Sequence, residues 1–320
     1  MGYASHIGRL GALAVALGAG LAATAGVAFA QPSLSSGASG TTDSTRSTGP
    51  NISVSTGGVT RVQKGETGGA ISSGPGSVAI AHGVGTTATA TGGQGTVAIA
   101  KGDFSSAVAD FGRCEACATA TNKAFVNGDN STATASGFGN TVRVIGDNSS
   151  GVAKGTGNDA LVYGDGSEAN ATGHNNKAVV NGDGSQAHAL GDGNTALAGG
   201  DDNKALVIGS NSVAHAGFGN GDNGNTATVY GDGSTAEAGY GDHNEAVVDG
   251  DNSTATAGHG DHNTAHVISA DGAGGGDDSW AIAGYGDGAT ATAAGPDSHA
   301  GAIGDGSTAT AGPGETVIAP

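Results

Sequence analysis

Residues 128–181 read GDNSTATAS, GFGNTVRVI, GDNSSGVAK, GTGNDALVY, GDGSEANAT and GHNNKAVVN, six nine-residue lines that each open with Gly. A fixed period is the strongest constraint on what such a chain can fold into, because each unit then makes the same local structure and buries itself against its neighbours. Number the line one to nine. Gly stands at one, Ser or Asn at four, and Ala or Val at six and eight, while positions five, seven and nine carry mostly polar residues. That is period-two alternation over five residues, a short strand with one small-residue face turned inward. Positions one to three, often Gly-Asp-Gly or Gly-Asp-Asn, are residues that accept the left-handed backbone of a tight turn. Each nonapeptide therefore predicts one strand and one corner.

Ser lines and Asn lines alternate, so Gly-Asp recurs at residues 128, 146, 164, 182 and 200. Eighteen residues then make one coil of two strands and two corners. Stacked coils at about 4.8 Å give two facing parallel sheets. The predicted fold is all-β, a thin parallel β-solenoid or β-roll. The frame extends over residues 74–312, a rod on the order of 60 Å long. The alternation slips once, near residues 191–217, where two Asn lines are adjacent. With Ala as the main inward residue, Ala187 among them, apolar burial per residue is modest. Backbone hydrogen bonds and stacked position-four side chains are expected to carry much of the order.

The line GSVAIAHGVGTTATATGGQGTVAIAKG, near residues 76–102, resembles the head repeats of YadA-type trimeric adhesins, whose small-residue lines form a β-roll. The resemblance implies that fold and a surface-adhesive role. The coiled-coil stalk and membrane barrel of that family are not recognisable here, so trimerisation and autotransport are not carried over. In length the nonapeptide also resembles the RTX calcium β-roll, but Ala stands at position six where that family has Asp, so its calcium sites are not carried over either.

Outside the array, residues 1–30 hold Arg9, a Gly/Ala/Leu/Val run and Ala28-Phe29-Ala30, the pattern of a secretory signal peptide cleaved after Ala30. This leader resembles those of mycobacterial and other actinobacterial exported proteins. Residues 31–73 are rich in Ser, Thr and Gly and read as a flexible linker. Residues 313–320 read as a tail. Loss of Arg9 with the leader moves the formal charge from −18 to −19. So acidic a chain disfavours nucleic acid and anionic lipid, both of which require a positive surface. No later stretch is long and apolar enough to span a bilayer.

Three features point to chemistry. Asp129, Asp147, Asp165, Asp183 and Asp201 would stack coil over coil, either bridged by a cation such as Ca²⁺ or held by amides of their own turns. GYGDHNEAVVD (239–249) and GHGDHNTAHVI (258–268) carry lengthened corners. These place Tyr240 over His259, Asp242 over Asp261 and His243 over His262, with His266 on the adjoining strand. Asp242, His243, Asp261 and His262 are the candidate ligands for Zn²⁺ or another divalent ion, and a duplicated polar loop gives the same pattern without a ligand. Cys114 and Cys117, in CEAC, are a disulfide candidate in an exported chain. Their extended separation of about 10 Å requires a local turn for bonding.

Ser, His and Asp are spread by the repeat rather than gathered, and no nucleophile elbow, phosphate loop or metalloprotease motif is present. The reading that uses most features is a secreted, noncatalytic structural or adhesive protein of the cell surface or extracellular space. Its partner would be an envelope or host-surface ligand. A cation-binding β-roll, an ice- or crystal-binding surface built on Thr132/Thr134, Thr254/Thr256 and Thr308/Thr310, and a polysaccharide-acting β-helix enzyme are the alternatives. Val152, Glu168 and His188 on intervening coils interrupt any Thr plane.

Overall fold

A computed structural model describes residues 52–65, 69–92, 94–110, 121–218, 221–268 and 278–320. The leader and the Cys114/Cys117 pair lie outside the described residues. Among those described there is no helix, and the chain is a parallel β-solenoid. Successive strands fall alternately into a first sheet of fifteen strands and a second sheet of thirteen. Coil pairs hold one register throughout. Val142, Ala160, Ala178, Ala196 and Ala214 form one inward column of the first sheet, and Ala133, Gly151, Ala169 and Ala187 form one in the second.

Side chains at positions six and eight are buried between the sheets, and the core consists of Ala and Val. The gap is filled by complementary sizes. Where the first sheet presents two valines, Val142 and Val144, the second sheet has Gly151, and a Cβ added there would lie 2.6 Å from Val142 Cγ1 and 2.9 Å from Val144 Cγ2. This accounts for a glycine at a position that elsewhere holds Ala.

Position four supplies the other half of the cohesion. Asn158, wholly buried, donates from Nδ2 to the Lys154 and Gly173 carbonyls, both at 2.7 Å. Its Oδ1 accepts from Asn176 N of the next coil at 2.9 Å. Ser167 does the same with one hydroxyl, donating to Gly182 O at 2.7 Å and accepting from Ser185 N at 3.2 Å. A buried Ala methyl contributes about 0.8 kcal/mol. Three hydrogen bonds at about 1 kcal/mol net each outweigh it, and leaving them unmade costs more still.

At the slip in the repeat the two columns exchange sheets. Asn194 belongs to the first sheet and its Oδ1 accepts from Ser212 N at 3.0 Å. Asn203, in the second sheet, donates its backbone N–H to Ser185 Oγ at 2.9 Å. From there the first sheet carries Ser from Ser212 to Ser298 and the second carries Asn from Asn203 to Asn263, without a break in strand pairing.

The ends differ from the sequence expectation. Within the segment read as linker, Ile52–Thr56 and Val59–Lys64 form an antiparallel hairpin on the first sheet, and Gly69–Ser72 opens the second sheet. The alternation was hidden because the inward residues of Ile52–Thr56 are Ser53 and Ser55, not Ala or Val. Their hydroxyls accept from Ala70 N at 2.9 Å and Ser72 N at 3.2 Å, satisfying amides that no preceding coil covers. Within the segment read as a tail, Thr316–Ala319 pairs with His299–Ile303. Its corner carries Glu315 at position four, whose Oε2 accepts from Gly312 N at 2.9 Å, so the Ser/Asn marker was missing.

Two outcomes follow from this packing. Gly151→Val is expected to lower unfolding free energy by about 1–3 kcal/mol through overpacking against Val142 and Val144, and a denaturation midpoint equal to wild type would refute the fit. Asn158→Ala strands two carbonyls and an amide, and by chemical denaturation is expected to cost at least about 3 kcal/mol; a loss below about 1 kcal/mol would show that the column is dispensable.

Candidate functional site

The corner leading from the first sheet to the second carries an acidic ladder along one continuous edge, and a shorter one, Asp232 and Asp251, stands at the opposite corner. Asp Oδ1 of each coil accepts from a corner amide of the preceding coil: Val84 N to Asp103, Asp103 N to Asp129, then onward through Asp147, Asp165, Asp183 and Asp201 at 2.7–2.9 Å. The ladder continues through Asn223, Asp242, Asp261, Asp287 and Asp305 at 2.8–3.1 Å. The partners are thus amides of the neighbouring coil rather than of the residue's own turn. Neighbouring carboxylates in water repel by about 1 kcal/mol at such spacing. A hydrogen bond to a charged acceptor contributes about 1.5–3 kcal/mol, so amide donation from the neighbouring coil offsets that repulsion.

His243 and His262 stand next to this ladder, ring over ring, with centroids 5.2 Å apart and planes 5° apart. Both are exposed and have left-handed backbones, φ 57° and 59°, at the corner position held by Asn130 and Asn148 in earlier coils. The structure therefore puts the four predicted ligands in register but does not gather them around a point. Asp261 Oδ1 already accepts from Asp242 N at 2.8 Å, and two imidazoles bound to one Zn²⁺ at about 2.0–2.1 Å per bond would have to converge rather than lie parallel. Among the described residues no group of three or more His, Cys, Asp and Glu is close enough to hold a metal ion. Coil stacking sets like beside like and so makes ladders.

A second column runs along the same edge, and sequence reasoning saw only part of it. Phe218 stacks on Tyr240 at 4.6 Å, Tyr240 on His259 at 4.7 Å and His259 on Tyr285 at 4.8 Å, with interplanar angles of 11°, 4° and 6°. His215 tilts against Phe218 at 3.9 Å. Asp222 Oδ2 accepts from Phe218 N at 2.9 Å and Tyr240 N at 3.0 Å, tying two coils together. The available signal was Ala-Gly-aromatic-Gly, recurring at 216–219, 238–241, 257–260 and 283–286. Its uneven intervals of 22, 19 and 26 residues hid it. Tyr240, His259 and Tyr285 have φ of 58°, 59° and 59°, which costs roughly 1 kcal/mol each for a residue with a Cβ. Ring stacking returns about 0.5–1.5 kcal/mol per pair. The column thus adds little net stability while leaving Tyr240 55% and Tyr285 67% exposed.

Where the column begins, the outer face of the first sheet has a trough. Gly199 and Gly217 form its floor, in the strand-end column where earlier coils carry Tyr163 and Asn181. Val179, Leu197 and His215 wall one side, and Asn181 and Phe218 close the two ends. Burial holds the His215 imidazole below its ordinary value of 6.5. His188, on the other sheet, is lowered by burial against the opposing pull of the Glu168 charge, and its Nε2 lacks a hydrogen-bond partner. It sits apart from the edge. The Thr pairs do not share a face, since Thr254–Gly258 belongs to the first sheet while Thr132–Phe138 and Thr308–Ala311 belong to the second.

By architecture the chain is a parallel β-solenoid. Comparison with protein-family models, curated proteins and solved structures returns no match.

The parallel stacking generates an expectation for metal. Calorimetric titration with Zn²⁺ is expected to give the same isotherm for wild type and His243→Ala/His262→Ala, because neither imidazole converges with a third ligand; loss of a binding event in the double variant would assign the site to these histidines.

Proposed function

We propose that the chain is an exported, noncatalytic structural and adhesive rod, displayed at the cell surface or in the extracellular space. The observation that carries this reading is the repetition of exposed chemistry in register along one edge of the strand stack. The carboxylate ladder and the aromatic column present similar groups at each strand spacing. Repeated weak contacts along a stiff rod sum to avidity, because each further contact forms at the high effective concentration set by the first. The interior supports a mechanical role, with a core of small side chains and buried polar columns spent on coil-to-coil bonds. The leader in residues 1–30 supports export, and the likeness of the early repeats to YadA-type heads supports adhesion.

The test is binding of the purified chain to immobilised cell-envelope fractions and to host-cell surfaces. Saturable binding to at least one of them is expected, weakened by salt or by soluble competitor. Retention by neither would remove the adhesive part and leave a spacer.

A further inference from the structure

The trough and the aromatic column form one continuous surface. Phe218 ends the trough and begins the column. The floor belongs to a run of strand-end glycines, Gly199, Gly217, Gly239, Gly258 and Gly284, of which the first two line the trough. Its far wall exists because the lengthened corner after Gly217 swings Phe218 over Gly239, where any Cβ would collide with the ring. Asp222 holds that ring in place through the Phe218 amide.

The walls mix two chemistries. Val179, Leu197 and the Phe218 ring offer apolar contact, while Asn181 offers an amide. A neutral imidazole at His215 both donates and accepts. Exposed Asp201 and Asp202 follow Gly200 at the rim. A wholly apolar ligand would desolvate the amide and imidazole without pairing them. An anionic ligand would meet Asp201, Asp202 and a chain of formal charge −18. A pyranose ring presents what this surface complements, with C–H groups for the aliphatic wall of Val179 and Leu197, hydroxyl oxygens for the positive ring edges that the face-to-face column turns outward, and hydroxyl protons for carboxylates and an amide. Because Tyr240, His259 and Tyr285 prolong the wall over three further coils at 4.7–4.8 Å, an extended ligand is favoured over a single sugar.

We propose that the trough at Gly199 and Gly217, continued by the Phe218–Tyr240–His259–Tyr285 column, binds a neutral oligosaccharide lying along the edge of the solenoid. This rests on the adhesive reading and names its ligand class.

The test is calorimetry on the full chain with cellohexaose and N-acetylchitohexaose, and with hexagalacturonate as the anionic control. At least one neutral hexasaccharide is expected to bind, with hexagalacturonate weaker by tenfold or more, about 1.4 kcal/mol. Gly199→Asn, which puts the side chain of the preceding coil into the trough, and Phe218→Ala are each expected to weaken binding at least about tenfold. A Cβ at Gly199 lies 3.0 Å from the Gly217 carbonyl, so melting curves are compared alongside, and Tyr240→Ala replaces Gly199→Asn if that variant does not fold. The proposal is overturned if wild type binds neither neutral sugar, if hexagalacturonate binds as tightly, or if the folded variants bind as wild type does. Absence of sugar binding by a chain that still adheres to envelope or host surfaces sinks the trough alone; absence of both sinks the adhesive reading with it.

Discussion

Each coil is held to the next by a buried polar side chain that reaches across the stack, and the remaining features depend on it. A two-sheet roll only one small side chain deep cannot gather the apolar area that orders a conventional domain. Asn and Ser at position four convert that weakness into a requirement for register. Asn140, Asn158 and Asn176 each accept from the amide above while donating to carbonyls beside them, so a coil displaced by one residue loses all of these bonds at once. Polar groups that would be costly if unpaired make the stack unique. They also free the outward positions, which vary from Glu168 to Gln186 to Lys204 to Thr226 along one strand column and from Asn170 to His188 to Leu206 to Thr228 along the next.

The fold was legible because its period is short and its inward residues are monotonous. Gly at one, Ser or Asn at four and Ala or Val at six and eight specify strand, corner and register together. The reading failed where another residue took over one of those jobs. Ser53 and Ser55 face inward in the capping hairpin, and Glu315 replaces Ser or Asn in the last corner. In both places the backbone still needs a polar partner, and a different side chain supplies it.

The edge was legible in part. The coincidence of Asp242 with Asp261 and of His243 with His262 follows from equal spacing alone, and the stack bears it out. Phe218 and Asp222 were out of reach because their corner is longer than its neighbours, and the trough was out of reach because it consists of side chains that are missing. Absence at Gly199 and Gly217 acquires meaning only once the strand column is known to hold Tyr163 and Asn181 on earlier coils.

The exchange of the Ser and Asn columns between residues 194 and 212 shows what the unit of inheritance in such a chain can be. One strand and one corner, half a coil, can be gained or lost while both ladders stay paired, because either side chain serves at position four. Every residue beyond the event then changes side. A single half-unit event thus rewrites which chemistry faces a given direction, and it does so for the whole downstream length without altering the scaffold. Val179 and Leu197 on the first sheet give way beyond this point to Glu237 and Thr256 in the same outward column. The molecule carries two surface vocabularies on one face, joined at a seam that the backbone does not register.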